Sequence, residues 1–274
     1  MTRFEPNLYI KYLNILIFVL SGRLWYERKT ITRFNESTFM NIDKIIAPFI
    51  EEIGALQFSP PVTHVYNPLV YAGKGFHAYH QRFGQSPKEV VFVGMNPGPW
   101  GMAQTGVPFG EVSAVREWMG IETAIGKPAR EHPKRPVSGF ACKRSEVSGR
   151  RLWGWAKERF GTTDRFFSRF FVVNWCPLMF MEESGRNRTP DKLPAGERKR
   201  LFEICDRYLK QMICRLQPER VIGIGVFAQN RAAAALRGTH IPIGRITHPS
   251  PANPHANRGW VVRIEKELSG MGVL

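Results

Sequence analysis

The sequence predicts an α/β fold built on a parallel sheet of four strands. Four short runs rich in β-branched and aromatic residues, 90–94, 170–174, 220–225 and 244–248, have the length and composition of buried strands. The segments between them are long enough for the crossover helices that parallel neighbours require. The first run opens into a loop with three prolines and four glycines between Met95 and Glu111. They leave no room for a helix, so the backbone itself is free to shape a site.

In chain order, residues 42–56 space Ile45, Ile46, Phe49, Ile50 and Ile53 as one face of a helix, which Pro60-Pro61 ends. Residues 62–71, with Asn67-Pro68, read as irregular, and 77–83 as a short helix. Residues 112–119, 149–160, 197–215 and 228–236 are the expected crossover helices. The clearest is 197–215, where Leu201, Ile204, Cys205, Tyr208, Leu209 and Met212 form an apolar stripe suited to core packing.

Residues 1–40 are expected to be an N-terminal extension, packed or mobile, outside a single domain spanning 41–274. The apolar stretch 8–20 is interrupted by Lys11 and Asn14 and falls short of the ~20 residues of a spanning helix. Arg23-Leu24-Trp25-Tyr26 follows it in place of a small-residue cleavage site, and Met40 is an alternative start.

At 274 residues with 43% hydrophobic content, the chain can bury a substantial core, which excludes wholesale disorder. The net charge of +16 points to an anionic partner, nucleic acid before a membrane surface. Cys142, Cys176, Cys205 and Cys214 show neither C-x-x-C nor zinc-finger spacing. Reduced thiols and an intracellular location are expected, cytoplasm or nucleoid in a bacterium and nucleus in a eukaryote. No metal or cofactor is expected. Residues 127–151 carry Lys127, Arg130, Lys134, Arg135, Lys143, Arg144, Arg150 and Arg151 against only Glu131 and Glu146. Such a run is usually a solvated face, but its charge imbalance in a loop-rich setting puts phosphate contact at least level with that reading.

Three of the strands end on polar residues: Asn96, Asn174 and His248. In a parallel sheet these ends share one edge, where ligands bind. Singly, each is a turn former or a structural histidine. Together, each close to a proline, they read as a site. Its chemistry is defined by what it lacks, since no Asp or Glu precedes Glu111 in the loop and no nucleophilic elbow is present. Asn orients water but does not deprotonate it. His248 can donate a hydrogen bond to developing negative charge. This suits a leaving group that departs largely by itself, such as a nucleobase anion leaving deoxyribose. Asn174 offers donor and acceptor atoms to a pyrimidine edge, and Phe109 a stacking face.

Residues 94–111, G-M-N-P-G-P-W-G-M-A-Q-T-G-V-P-F-G-E, resemble the first motif of the single-strand-selective monofunctional uracil-DNA glycosylases, and residues 248–260 their second. P-V-T-H-V-Y-N-P (61–68), S-E-V-S-G (145–149) and V-N-W-C-P-L (173–178) resemble the family too, so the likeness runs from about 61 to 260. It implies a uracil-DNA glycosylase-like fold, a three-layer α/β/α sandwich around a central four-stranded parallel sheet. It implies that Asn96 positions the attacking water and His248 supports the leaving uracil. Asn174 reads the base edge, Phe109 stacks on the flipped base, and Met95 and Gly98 shape the wall at the base's C5. Room at Gly98 implies acceptance of uracil and 5-hydroxymethyluracil. The resemblance further implies a DNA wedge after His248, at Pro249, Ser250, Pro251, Ala252 and Asn253, with backbone contacts from Ser145, Ser148, Lys143 and Arg144. Ala252 and Val173 depart from the pattern, which has Arg and His at those places.

The expected activity is hydrolysis of the N-glycosidic bond of uracil in DNA, initiating base excision repair. No lyase step is expected, because no lysine holds a catalytic position. Single- and double-stranded uracil-containing DNA is the expected partner, with no membrane or metal partner, and a monomer is expected. The alternatives are a superfamily glycosylase for another deaminated base, such as xanthine or hypoxanthine, and a non-catalytic damage-binding protein.

Overall fold

The computed structural model describes residues 19–20, 23–24, 41–85 and 87–274. The chain divides into two units, Met1–Thr38 and Phe39–Leu274. In the first, β1 (Val19–Leu20) pairs antiparallel with β2 (Arg23–Leu24). Most of the expected extension, including the apolar stretch up to residue 18, lies outside the described residues.

The second unit opens with α1 (Ile42–Gly54). Asn41 caps it by accepting the Asp43 N–H at 3.0 Å. Residues 62–71 correct the expectation of irregular chain, since they form β3 (His64–Tyr66) and α2 (Pro68–Tyr71). Three residues are too few to show a period, and the strand's partner lies far along the chain. Next come α3 (Gly73–Phe83), β4 (Val90–Gly94) and α4 (Met102–Thr105), which corrects the expectation of no helix in this loop: four residues between Gly101 and Gly106 suffice for a single turn. Residues 112–119 are not a full crossover helix: a π-helical turn over Ala114–Trp118 is cut off at Gly120, whose φ is +62°. Arg82 collects the exposed carbonyls there, donating to Met119 O at 2.7 Å and Gly120 O at 2.9 Å.

The remaining elements are α5 (Val147–Phe160), α6 (Thr163–Phe167), β5 (Phe170–Asn174), β6 (Met179–Met181) and β7 (Asn187–Arg188). They are followed by α7 (Ala195–Leu216), β8 (Arg220–Ile224), α8 (Val226–Ala235), β9 (Ile243–Ile246), α9 (Pro254–Asn257) and α10 (Trp260–Gly270).

The central sheet has the order β5-β4-β8-β9 with every neighbour parallel. Its two faces separate by strand alternation. Phe92 faces Trp155 of α5 at 6.3 Å between ring centroids, on the side where α10 also packs. On the other side lies α8, itself packed on α7, which in turn packs on α1. The result is the expected three-layer α/β/α sandwich. A second, antiparallel sheet, β3-β6-β7, was not anticipated and sits beside the loop that follows β5.

Gly223 admits the helix layer, because a Cβ there would stand 2.2 Å from the Gln229 backbone nitrogen of α8. Gly223→Ala is therefore expected to cost about 1–3 kcal/mol through overpacking, read as a lower midpoint in denaturant unfolding. The fourth strand was expected to run to His248 but ends at Ile246. Glu267 of α10 takes over at that point, accepting Thr247 N–H at 2.7 Å and Thr247 Oγ1–H at 2.6 Å. His248 thus leaves the sheet two residues after its last strand position.

Candidate active site

The carboxyl edge of the sheet opens on a cavity of about 340 Å³. Met95, Asn96, Gly98, Phe109, Asn174, Ser148, His248 and Ser250 all line it, so residues scattered over the sequence are brought together as the parallel topology requires. Pro97, Glu146, Asn187 and Thr189 complete the lining. Pro249, Pro251, Ala252, Asn253 and Ser145 lie outside it, and Lys143 and Arg144 line a neighbouring groove.

The loop after β4 is tied to the extension of β5, because Trp175 N–H donates to Gly94 O and Cys176 N–H to Met95 O, both at 2.9 Å. Asn96 Nδ2 donates to Leu178 O at 3.2 Å. That bond turns the amide so that Oδ1 is left as an acceptor, which can hold a water by one of its hydrogens.

Asn174 closes β5. Its Nδ2 reaches Met102 Sδ at 3.2 Å, while its Oδ1 is buried without a partner. Only glycine fits beneath this amide, since a Cβ at Gly94 would lie 2.4 Å from Asn174 Oδ1 and 2.5 Å from Phe109 Cε2. Phe109 holds a left-handed backbone, φ +53°, which is uncommon for a side chain of its size. It is pinned there: Trp153 Nε1–H and Glu111 N–H donate to its carbonyl at 2.9 and 2.7 Å. Gly149 lets α5 approach, for a Cβ there would meet that oxygen at 2.1 Å. The ring lies 6.3 Å from that of His248, tilted by 45°.

His248 accepts Ser250 N–H on Nδ1 at 3.0 Å, so in the neutral ring the proton sits on Nε2. Burial holds its pKa down to about 4, and the ring is neutral at physiological pH. Gly225, at φ +92°, follows β8 and lets His248 approach, since a Cβ there would stand 3.2 Å from His248 Cβ. Asn253 Nδ2–H donates to His248 O at 3.1 Å, and Arg151 Nη1–H to Pro249 O at 2.9 Å. The tip of this turn, Pro251 and Ala252, is exposed.

The expectation of a site without a carboxylate is corrected by Glu146. Its Oε2 is buried without a hydrogen-bond partner, packed against the backbone of the loop. A Cβ at Gly98 would stand 2.5 Å from Glu146 Oε1, and one at Gly101 only 1.3 Å from Oε2. Gly98 therefore makes room for Glu146 as well as lining the cavity. Burial, reinforced by the charge of Glu111, raises the Glu146 pKa to about 7. Glu146 lay in plain view inside S-E-V-S-G, between two residues already singled out. Asn187 and Thr189 had no such signal, because they arrive on and just after the two-residue strand β7.

Six of the eight residues of the basic run sort into two groups. Lys127 pairs with Glu131 and Arg151 holds Pro249 O and Asn257 Oδ1, so both are structural. Lys134, Arg135, Lys143 and Arg144 face the neighbouring groove. The two departures from the family pattern do not touch the cavity: Val173 is 1% exposed within the sheet and Ala252 is at the turn's tip. Among the described residues no group of three or more His, Cys, Asp or Glu could hold a metal ion, and no helix is long and apolar enough to cross a membrane.

A family model described as the uracil DNA glycosylase superfamily matches residues 81–268. The single-strand selective monofunctional uracil-DNA glycosylase of Rattus norvegicus is 48% identical over 225 residues, covering 81% of this chain and 81% of that one. That of Bos taurus is 46% identical over 226 residues, covering 82% and 83%. Among solved structures, the crystal structure of Pedobacter heparinus SMUG2 superposes with a TM-score of 0.62 at 16% identity, over 85% of this chain and 97% of that one, and speaks for the fold alone. The chain belongs to the uracil DNA glycosylase superfamily and, within it, to the family of single-strand selective monofunctional uracil-DNA glycosylases.

Proposed function

We propose that the protein is a monofunctional DNA glycosylase that hydrolyses the N-glycosidic bond of uracil, and of 5-hydroxymethyluracil, in single- and double-stranded DNA. The observation that carries this reading is the convergence of Asn96, Asn174, Phe109 and His248 on one cavity. A target within a duplex must first be flipped out to reach such a cavity. Phe109 stacks on the flipped base, Asn174 pairs with its edge, and Met95 and Gly98 face its C5 side.

As the bond from C1′ to N1 lengthens, its electron pair passes to the base, and His248 Nε2–H donates to the uracil oxygen that gains charge. A neutral donor suits this task, because it stabilises the anion without bringing a buried cation beside the cationic sugar. Water held by Asn96 Oδ1 then forms the new bond to C1′ and gives its proton to solvent. No lysine lines the cavity, which supports hydrolysis without a Schiff base. The turn from Pro249 through Ser250, Pro251 and Ala252 to Asn253 is the segment that enters the gap left by the base. Ser145, Ser148, Lys143 and Arg144 hold the strand. Residues 41–274 form the working domain, a monomer acting inside the cell without a metal, and the first forty residues are an extension to it.

Oligonucleotides carrying one uracil, 5-hydroxymethyluracil, xanthine or hypoxanthine, single- and double-stranded, test the reading by abasic-site formation. Uracil and 5-hydroxymethyluracil should be released. Release of xanthine or hypoxanthine alone would shift the substrate class, and no abasic product from any of them would leave only damage binding. Replacing Lys143 and Arg144 with Ala should lower the slope of log binding constant against log salt by about 0.7 per lost phosphate contact on single strands. An unchanged slope would make these two residues mere solvated surface.

A further inference from the structure

Beside the cavity lies a second concavity of about 670 Å³, lined by Trp100, Lys134, Arg135, Lys143 and Arg144 among others. It shares both of its chain segments with the first. Gly98 lines one and Trp100 the other, and Glu146 lines one and Arg144 the other. Two residues span at most ~7 Å, so the two sites are within reach of adjacent units of one sugar–phosphate chain.

The groove has the two components that unpaired nucleic acid needs, a π face and a line of cations. Trp100 is half-buried, and guanidinium groups lie over its ring, Arg144 at 4.6 Å and Arg135 at 5.5 Å from the centroid. No carboxylate lines the groove, and none of its four cations makes an ion pair among the described residues. One wall is tied to the second sheet, since Tyr66 Oη–H donates to Arg135 O at 2.9 Å and so anchors the Arg135 backbone. A tryptophan held among cations is poor as a core element, and Trp100 joins neither of the apolar clusters of the core. It is well made for a base stacked on indole and guanidinium planes with its phosphate on the same side chains.

We infer that this groove is a subsite for the nucleotide next to the target, engaged when that nucleotide is unpaired, with Trp100 stacking on its base and Lys134, Arg135, Lys143 and Arg144 holding its phosphate. The inference rests on the glycosylase reading, to which it adds a tighter grip on single strands than on duplex. In a duplex the neighbouring base stays stacked in the helix and the groove receives only backbone.

Binding without turnover separates the two claims. The full-length protein is titrated, by fluorescence anisotropy, with single strands carrying 2′-fluoro-deoxyuridine, which resists hydrolysis. The residue on one side or the other of the target is either thymidine or a stable abasic tetrahydrofuran. Removing the neighbouring base on the side that enters the groove should weaken wild-type binding roughly 5- to 100-fold. Trp100→Ala should bind the intact strand that much more weakly and become indifferent to the missing base, while Trp100→Phe restores most of the sensitivity. The matching duplexes should show little difference between wild type and Trp100→Ala. Equal affinity of wild type and Trp100→Ala for the single strand, or an equal loss on duplex, would overturn the subsite. Base-sensitive binding without any uracil release from ordinary substrate would instead overturn the glycosylase reading and leave the groove standing.

Discussion

His248→Ala is expected to lower the single-turnover rate of uracil release by ~10²- to 10³-fold while DNA binding stays close to wild type. In the proposed mechanism the side chain donates to charge that exists only as the base departs, so its loss falls on the chemical step. Ser250 N–H occupies Nδ1 and leaves Nε2–H for the base, a tautomer that alanine cannot supply and that glutamine supplies only in part. Asn96→Ala should also fall by ~10²-fold or more. The double variant should lose far less than the product of the two, because both act on one transition state. Full activity in both single variants would remove them from the reaction. The pKa of about 4 carries a stability consequence. The native ring binds fewer protons than the unfolded one, whose pKa is ~6.5, so stability contributed by the neutral ring is lost as pH falls from about 6.5 through 4. Thermal melting across this range should show a shallower acid loss in His248→Ala.

Glu146→Gln is expected to remove an alkaline limb from the pH profile of uracil release. With its pKa raised to about 7, the carboxyl is neutral in mildly acid solution and ionised above neutrality. The neutral acid is the form compatible with the reaction. In the proposed mechanism phosphates and a departing uracil anion gather around it, and Oε2 has no donor with which to stabilise a charge. Wild-type kcat/KM should therefore fall as pH rises through about 7, or somewhat higher once DNA is bound. Glu146→Gln, which keeps the shape and cannot ionise, should match wild type within a few-fold at pH 6 and stay flat to pH 9. A retained alkaline limb in the variant would assign that titration elsewhere. The stability sign is opposite to that of His248. The folded pKa lies above the unfolded value near 4.5, so the contribution is complete at low pH and is lost as pH rises through about 7. Glu146→Gln should accordingly melt higher than wild type at pH 8 and equal to it near pH 4. Between these limits the two residues pull in opposite directions, so neither is visible in wild-type melting alone.

Several parts of this molecule were legible in residues met one after another. The strands at 90–94 and 170–174 match β4 and β5 at both ends, because a run buried on both faces is apolar throughout and bounded by turn formers. The stripe from Leu201 to Met212 does face the core, as its 3.6-residue period required. Asn96, Asn174 and His248 were placed together by topology alone, since parallel strands deliver their carboxyl ends to one edge. What could not be read was decided by contacts between distant segments. β3 exists through β6, and β7 carries Asn187 to the cavity although its two residues have no period to detect. Glu146 was visible as a letter but not as a neighbour of Asn96. Its place depends on Gly98 and Gly101 having no side chains, and its protonation on burial and on Glu111 nearby. By itself, then, the sequence determined the parallel sheet, the edge where the cavity opens and three polar residues that line it, because those follow from local composition and strand direction. Only the tertiary structure decided the charge state of the site, the tautomer of His248 and the cations that flank Trp100. Desolvation and hydrogen-bond partners are properties of the packed neighbourhood, and no stretch of chain carries them alone.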